Sequence, residues 1–573
     1  MKKSVLLMLV MFFSAAVLFA AGGAESGETD EIPDQVFIGT NGMTGNHLIP
    51  IWGTSNPQFM TYPLILPALT WFNDEVNPIP DLAESIDVNE DATSYTFHLP
   101  ENAEWSDGVP LTAEDVYFTF KLAVDDAFSS SSWPKNLSDI KGMKEYREGN
   151  ADEISGIVVL DDHTVRMDLS VPNSSFLYNT YLGILPKHVL KDVAPEDLGA
   201  HPYADAPTVT SGPYDFVEYI ETQHIHMTKK ENYWGKEAQI KDVFIVMFEE
   251  EATQLSQLAA GELDISSIVP AEIARFERSD QIEVQPVEGI GYLVTHIDAR
   301  SQEFIDKQNA PTEEGGGGGN LDGSKINKKV KPYLQEKAFR QALAYAVDID
   351  AMINVVADGY ATPIYSPIFG PSWAVNPNLN PYDRDVEKAK SLMKEAGVEF
   401  DDSGNALWDG EKIILIYLSN TSERDRKIGE FLQQQFGDIG IRLDLKMVTS
   451  SAFITAAIAG EGDLIVNAGG RFGADPSVSS AYYTTSAGWA RLVMGYSNPE
   501  FDELMEKGKT SGEADVRAEY YHKASAILND ELPSLFFMTL SSFVGKDPRL
   551  MGVMPSSDIG YLTWNIADWY FSE

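Results

Sequence analysis

The sequence predicts a two-lobed α/β protein whose open sheets are flanked by helices, and three observations carry that prediction. The chain has 573 residues, too many for one hydrophobic core. Its second half alternates helix with strand: Phe339, Leu343 and Val347 share one helical face, 413–418 is a short apolar strand, 425–436 a polar-faced helix and 441–447 an alternating strand. A third observation is the stretch 468–476, AGGRFGADP, directly after the apolar run Leu464, Ile465, Val466. A buried strand that ends in Gly-rich backbone with Arg471, Phe472 and Asp475 at its mouth can grip a small polar or zwitterionic ligand.

Bulk composition narrows the function classes. Hydrophobic residues at 43% and aromatics at 11% are those of a folded globular chain. A formal charge of -45, from 87 acidic against 42 basic residues, excludes nucleic acid as a partner, because phosphate binding needs a basic footprint. The absence of cysteine removes disulfides, thiolate metal sites and cysteine nucleophiles together.

The amino terminus reads as an export signal. Lys2 and Lys3 precede an apolar run over 5–19, and Ala20, Ala21, Gly22 and Gly23 supply the small residues of a cleavage site. The run is shorter than the roughly 20 residues that span a bilayer. No cysteine follows it for a lipid anchor, so the expected mature protein is free in a periplasm, with 1–23 as signal peptide and 24–34 as a flexible leader.

Taken in order, 35–39 (QVFIG) enters as a strand, and the loop after it carries Asn41 and Trp52, placed where binding groups concentrate. Tyr95, Phe97 and Leu99 alternate as the buried face of a strand. In the run 105–116, WSDGVPLTAEDV, Asp107 and Gly108 supply a tight turn, Thr112 and Asp115 approximate a capping box, and Val116, Phe120 and Val124 recur at helical spacing. Asp348 or Asp350 starts a helix that Gly359 and Pro363 stop. The pentaglycine run 315–319 marks a mobile insertion over about 301–331, and 128–133 (FSSSSW) a small exposed loop.

That 105–116 run resembles a signature of the family 5 extracytoplasmic solute-binding proteins of ABC importers, the oligopeptide- and dipeptide-binding group. Further matches follow in the family's order: TSGPYDFVEY at 210–219, FRQALAYAVDIDAMINVVADGYATP at 339–363, DVEKAKSLMKEAG at 385–397 and NPEFDELMEKG at 498–508. The resemblance implies a two-lobed periplasmic-binding-protein fold of type II. It places lobe I over 35–61, 206–289 and 537–573, an extra subdomain over 62–205, and lobe II over 290–536. It implies a monomer that captures a short peptide and delivers it to a membrane permease, with no enzymatic step and no cofactor. In peptide binders of the family the aspartate matching Asp475 takes the ligand's α-ammonium, and an upstream cleft aromatic corresponds to Phe453. Arg471 and Phe472 depart from the family's frequent Gly-Trp pair. Tyr292 and Trp373 join the expected cleft lining.

Other chemistries meet obstacles in the sequence. Gly508, Lys509 and Thr510 mimic the end of a phosphate loop, but Glu503 stands where a glycine is required. His224 and His226 share one face of a strand without a third ligand, and 401–412 lacks the glycine and glutamate of a calcium loop, so no metal is expected. A secreted hydrolase has neither a G-x-S-x-G elbow nor a zinc motif to support it. An oligosaccharide stacked on Trp52, Trp71, Trp373 or Trp489 remains the alternative cargo.

Overall fold

The computed structural model describes residues 32–42, 47–53, 55–129, 131–287, 289, 291–309, 326–370, 372–471, 475–486 and 490–573. The expected signal peptide, the pentaglycine run, Phe472 and Trp489 lie outside them.

Two open mixed sheets organise the chain. The first has seven strands, with Gln35–Asn41 central and parallel to both Asp242–Phe248 and Ile265–Ile268. The second has six, in which Ile414–Asn420 runs parallel to Arg442–Val448 and to Leu464–Arg471. The fold is therefore two-lobed α/β. A four-stranded antiparallel sheet, from Ser85–Val88 to Thr164–Asp168, lies within the extra subdomain. Its Tyr95 and Phe97 belong to one continuous apolar core with Val36 and Ile38 of the first sheet, whereas Leu415, Tyr417 and Leu443 anchor a separate core under the second.

Local signals produce their elements for visible reasons. Asp115 accepts the Thr112 N–H at 2.9 Å and opens the helix Ala113–Ala123, while its other oxygen takes the Lys187 N–H at 2.9 Å. Asp348, not Asp350, caps Ile349–Val356 by accepting from Ala351 N–H at 2.9 Å. The run 128–133 is not an exposed loop: Phe128 is 1% and Trp133 5% exposed, because their rings pack against Trp52 and Tyr181.

Both crossings between the lobes lie side by side. Glu283–Val287 pairs antiparallel with Ser542–Lys546 in the first sheet, and Gly291–Ile297 pairs antiparallel with Ser534–Leu540 in the second. They form a two-stranded ribbon that passes from one sheet into the other. Ser534–Leu540 keeps its partners to its last residue, so the chain leaves the second lobe at Ser541, later than the 536/537 boundary expected from sequence. At the crossover Thr539 Oγ1 donates toward the carbonyls of Gly289 at 2.6 Å and Gly291 at 2.9 Å. A Cβ on Gly289 would stand 1.7 Å from the Leu540 oxygen, so this close approach admits only glycine.

Candidate functional site

Beside the ribbon lies a cavity of about 460 Å³ walled by both lobes. Ser267 and Val269 reach it from the carboxyl end of Ile265–Ile268, and Arg424 from the turn that follows Ile414–Asn420. Open α/β sheets place ligands at such strand ends. Tyr360 of the second lobe meets Phe543 of the first edge-on, with ring centroids 5.0 Å apart, and both line the cavity. Their contact makes cavity shape depend on the angle between the lobes. The volume falls within the range of small-molecule sites.

The carboxylate expected to await a ligand's ammonium already has a cation. Asp475 is 1% exposed, and its Oδ2 lies 2.6 Å from Arg517 Nη2. Its Oδ1 accepts the Ser477 N–H at 2.9 Å and the Ser477 hydroxyl at 2.7 Å, which caps the short helix Pro476–Ser479. The expectation of an open binding carboxylate gives way to an internal pair. Arg517 in turn donates to the Gly508 carbonyl at 2.8 Å and lies 4.9 Å over the Trp373 ring. Burial pulls its affinity for the proton down, but the adjacent Asp475 charge more than offsets this, and the net shift is upward. Gly508 permits the arrangement: a Cβ there would meet the Tyr521 ring at 2.4 Å. Gly508, Lys509 and Thr510 therefore end the helix Pro499–Thr510, and they form no phosphate loop.

This pair sits where the second lobe touches the extra subdomain. Ser477 Oγ donates to Ser175 Oγ at 2.8 Å, Ser174 N–H to the Lys509 carbonyl at 2.9 Å, and Lys509 Nζ lies 3.3 Å from Asp139. Tyr178 of the subdomain has its hydroxyl pKa raised, first by burial and then by the charge of Asp475. From Tyr178 a run of rings leads away through Phe72, at 6.0 Å, to Tyr181, at 5.2 Å from Phe72.

Tyr181 borders a second cavity, of about 400 Å³, whose other rings are Trp52, Phe59, Tyr62 and Trp133. Ser131 and Ser132 complete its polar lining, and none of the lining side chains is charged. Trp52, half-buried, is held there by His47 at 4.6 Å and Phe128 at 5.2 Å. Five rings with two hydroxyls suit a planar or aromatic uncharged group.

The remaining sequence candidates scatter. Asn41 is exposed at the end of its strand, in register with Phe248. Trp373, 37% exposed, covers Arg517. Phe453 is half-buried on Ser450–Ala459 between two apolar clusters. Tyr292 is fully buried, its ring 6.0 Å from Phe369, and is core, not cleft lining. Trp71 is likewise core, 3% exposed against Tyr181 and Tyr561. The backbone of Arg471 closes the strand Leu464–Arg471 opposite Gly291. His224 and His226 flank Phe244, and among the described residues no cluster of three His, Asp or Glu forms a metal site. Sequence reasoning missed Arg424 and Arg517. Arg424 carried a usable signal, since it follows the end of a strand in a predicted open sheet; Arg517 carried none.

Known proteins share this architecture. The chain is 26% identical over 480 residues to the dipeptide-binding protein of Escherichia coli (strain K12), covering 80% of each. It is 25% identical over 508 residues to the oligopeptide-binding protein OppA of Bacillus subtilis (strain 168), covering 85% of this chain and 84% of that one. The crystal structure of the ABC transporter substrate binding protein CtaP of Listeria monocytogenes superposes with a TM-score of 0.76 at 24% identity, over 95% of this chain and 100% of that one. Among the described residues no helix is long and apolar enough to cross a membrane. The sequence profile of the bacterial extracellular solute-binding proteins, family 5 Middle, matches residues 77–491, and the chain belongs to that family.

Proposed function

We propose that this protein is the substrate-binding component of an ABC importer, which captures short peptides between its lobes and presents the closed form to a membrane permease. What carries the reading is the cavity walled by both lobes beside the two-stranded hinge, in a chain whose relatives are named for dipeptide and oligopeptide binding. The ligand bridges the lobes and favours closure only by its differential affinity for the closed state. Its main chain is held by hydrogen bonds, and the uncharged five-ring cavity takes an aromatic side chain. No bond is broken. The mature protein works as a free monomer in the periplasm.

The same five rings and two hydroxyls favour a second reading, an oligosaccharide whose sugar faces stack on Trp52 and Trp133. Native mass spectrometry of the purified mature protein separates the two. A co-purified mass in the peptide series supports the first, and one in the hexose series replaces it with the second.

A further inference from the structure

The interlobe cavity carries an arginine whose charge is not used up by the fold. Arg424 lines it from the second lobe and is held only by its Nε, 3.3 Å from Asp425 Oδ1. That partner is itself buried at 1% exposure, while the Arg424 side chain stays 36% exposed. Among the described residues its two terminal nitrogens have no protein acceptor. Asp358, the other charged residue of the wall, stands on the turn after Ile349–Val356 and forms no ion pair with Arg424. Around them the wall is hydroxyl and apolar: Ser267, Ser541, Ser542 and Ser556 among aliphatic and aromatic side chains. A guanidinium offers two parallel N–H donors that match a carboxylate, and in a partly dry cavity that pairing is stronger than in water.

We propose that Arg424 takes the terminal carboxylate of the ligand, so that the peptide lies with its carboxyl end at the hinge and a free acid terminus is required for tight binding. The inference rests on the peptide reading above. It also gives closure a direction: the carboxylate meets Arg424 on the second lobe while the hydroxyls of Ser267 and Ser542 approach from the first, so the contact is complete only when the lobes are together.

The test is calorimetric titration of the full mature chain with Ala-Phe-Ala as the free acid and as its carboxyl-terminal amide. The acid should bind at least tenfold tighter than the amide. Arg424→Gln should bring the acid down to the affinity of the amide and leave the amide unchanged, and Arg424→Lys should restore part of the difference. Equal affinity for acid and amide in the wild type overturns the inference, as does an acid preference that survives Arg424→Gln; binding of both forms then leaves the peptide reading standing. If neither form binds and the co-purified ligand is a neutral sugar, the peptide reading falls and this inference with it.

Discussion

Arg517 and Arg424 stand at opposite ends of the second lobe's contact region and are treated in opposite ways. Arg517 is sealed: a carboxylate at 2.6 Å, a carbonyl at 2.8 Å and the faces of Trp373 and Tyr521 occupy it from every side. Arg424 has one long bond and an open flank. The difference teaches how to read a charged residue near a cleft. A cation whose donors are spent on the chain's own carboxylate and carbonyl is part of the scaffold, because a ligand must first break a buried pair to reach it. A cation left with unspent donors beside a cavity is available to a ligand.

The sharpest way to break this contrast is Arg517→Met, which strands Asp475 without its cation. Urea denaturation should show a loss of about 3–5 kcal/mol, the usual penalty for an uncompensated buried charge. An unchanged midpoint would place Arg517 in the same class as Arg424.

The dry side of the comparison also holds a titratable ring. Burial pushes His296 down from its ordinary value to about 3, while Ser534 Oγ lies 2.8 Å from its Nδ1. The folded state keeps this ring neutral, whereas the unfolded chain binds a proton below about pH 6.5. Its contribution is therefore intact above pH 6.5 and is lost as pH falls toward 3, at up to about 1.4 kcal/mol per pH unit. Comparing wild type with His296→Gln isolates this part of the slope, which the variant should lack.

A smaller effect belongs to the uncharged cavity. Trp52→Ala removes one of its five rings and should weaken binding of Ala-Phe-Ala about tenfold, or about 1.4 kcal/mol, with a lesser loss for Ala-Ala-Ala. Equal losses for both peptides would dissociate this cavity from side-chain recognition. The smallest expected change is the stability of Arg424→Gln, within about 0.5 kcal/mol of wild type because the fold spends so little on this side chain. A larger drop would mean that Arg424 is scaffold after all.

Much of the fold was legible because its signals are local. Phe339 and Leu343 define one helix face and are fully buried, and Asp115 and Asp348 cap the helices that follow them. Tyr95 and Phe97 alternate into the core as their spacing requires. The candidate site was less legible. Asp475 looked like a free ligand group in sequence, since nothing near it in the chain signals the Arg517 that neutralises it. Trp133 and Phe128 looked exposed among serines, yet rings from distant segments bury them. Tyr292 looked like cleft lining but lies on a strand whose alternate faces are both covered.

By itself, the sequence determined the class of architecture, the order of helices and strands, and the family, because periodicity, capping residues and motif spacing act over a few residues of chain. Tertiary structure alone decided which charges are spent and which are open. Whether a carboxylate or a guanidinium faces a ligand depends on partners brought to within about 3 Å by folding, and sequence distance carries no record of that proximity.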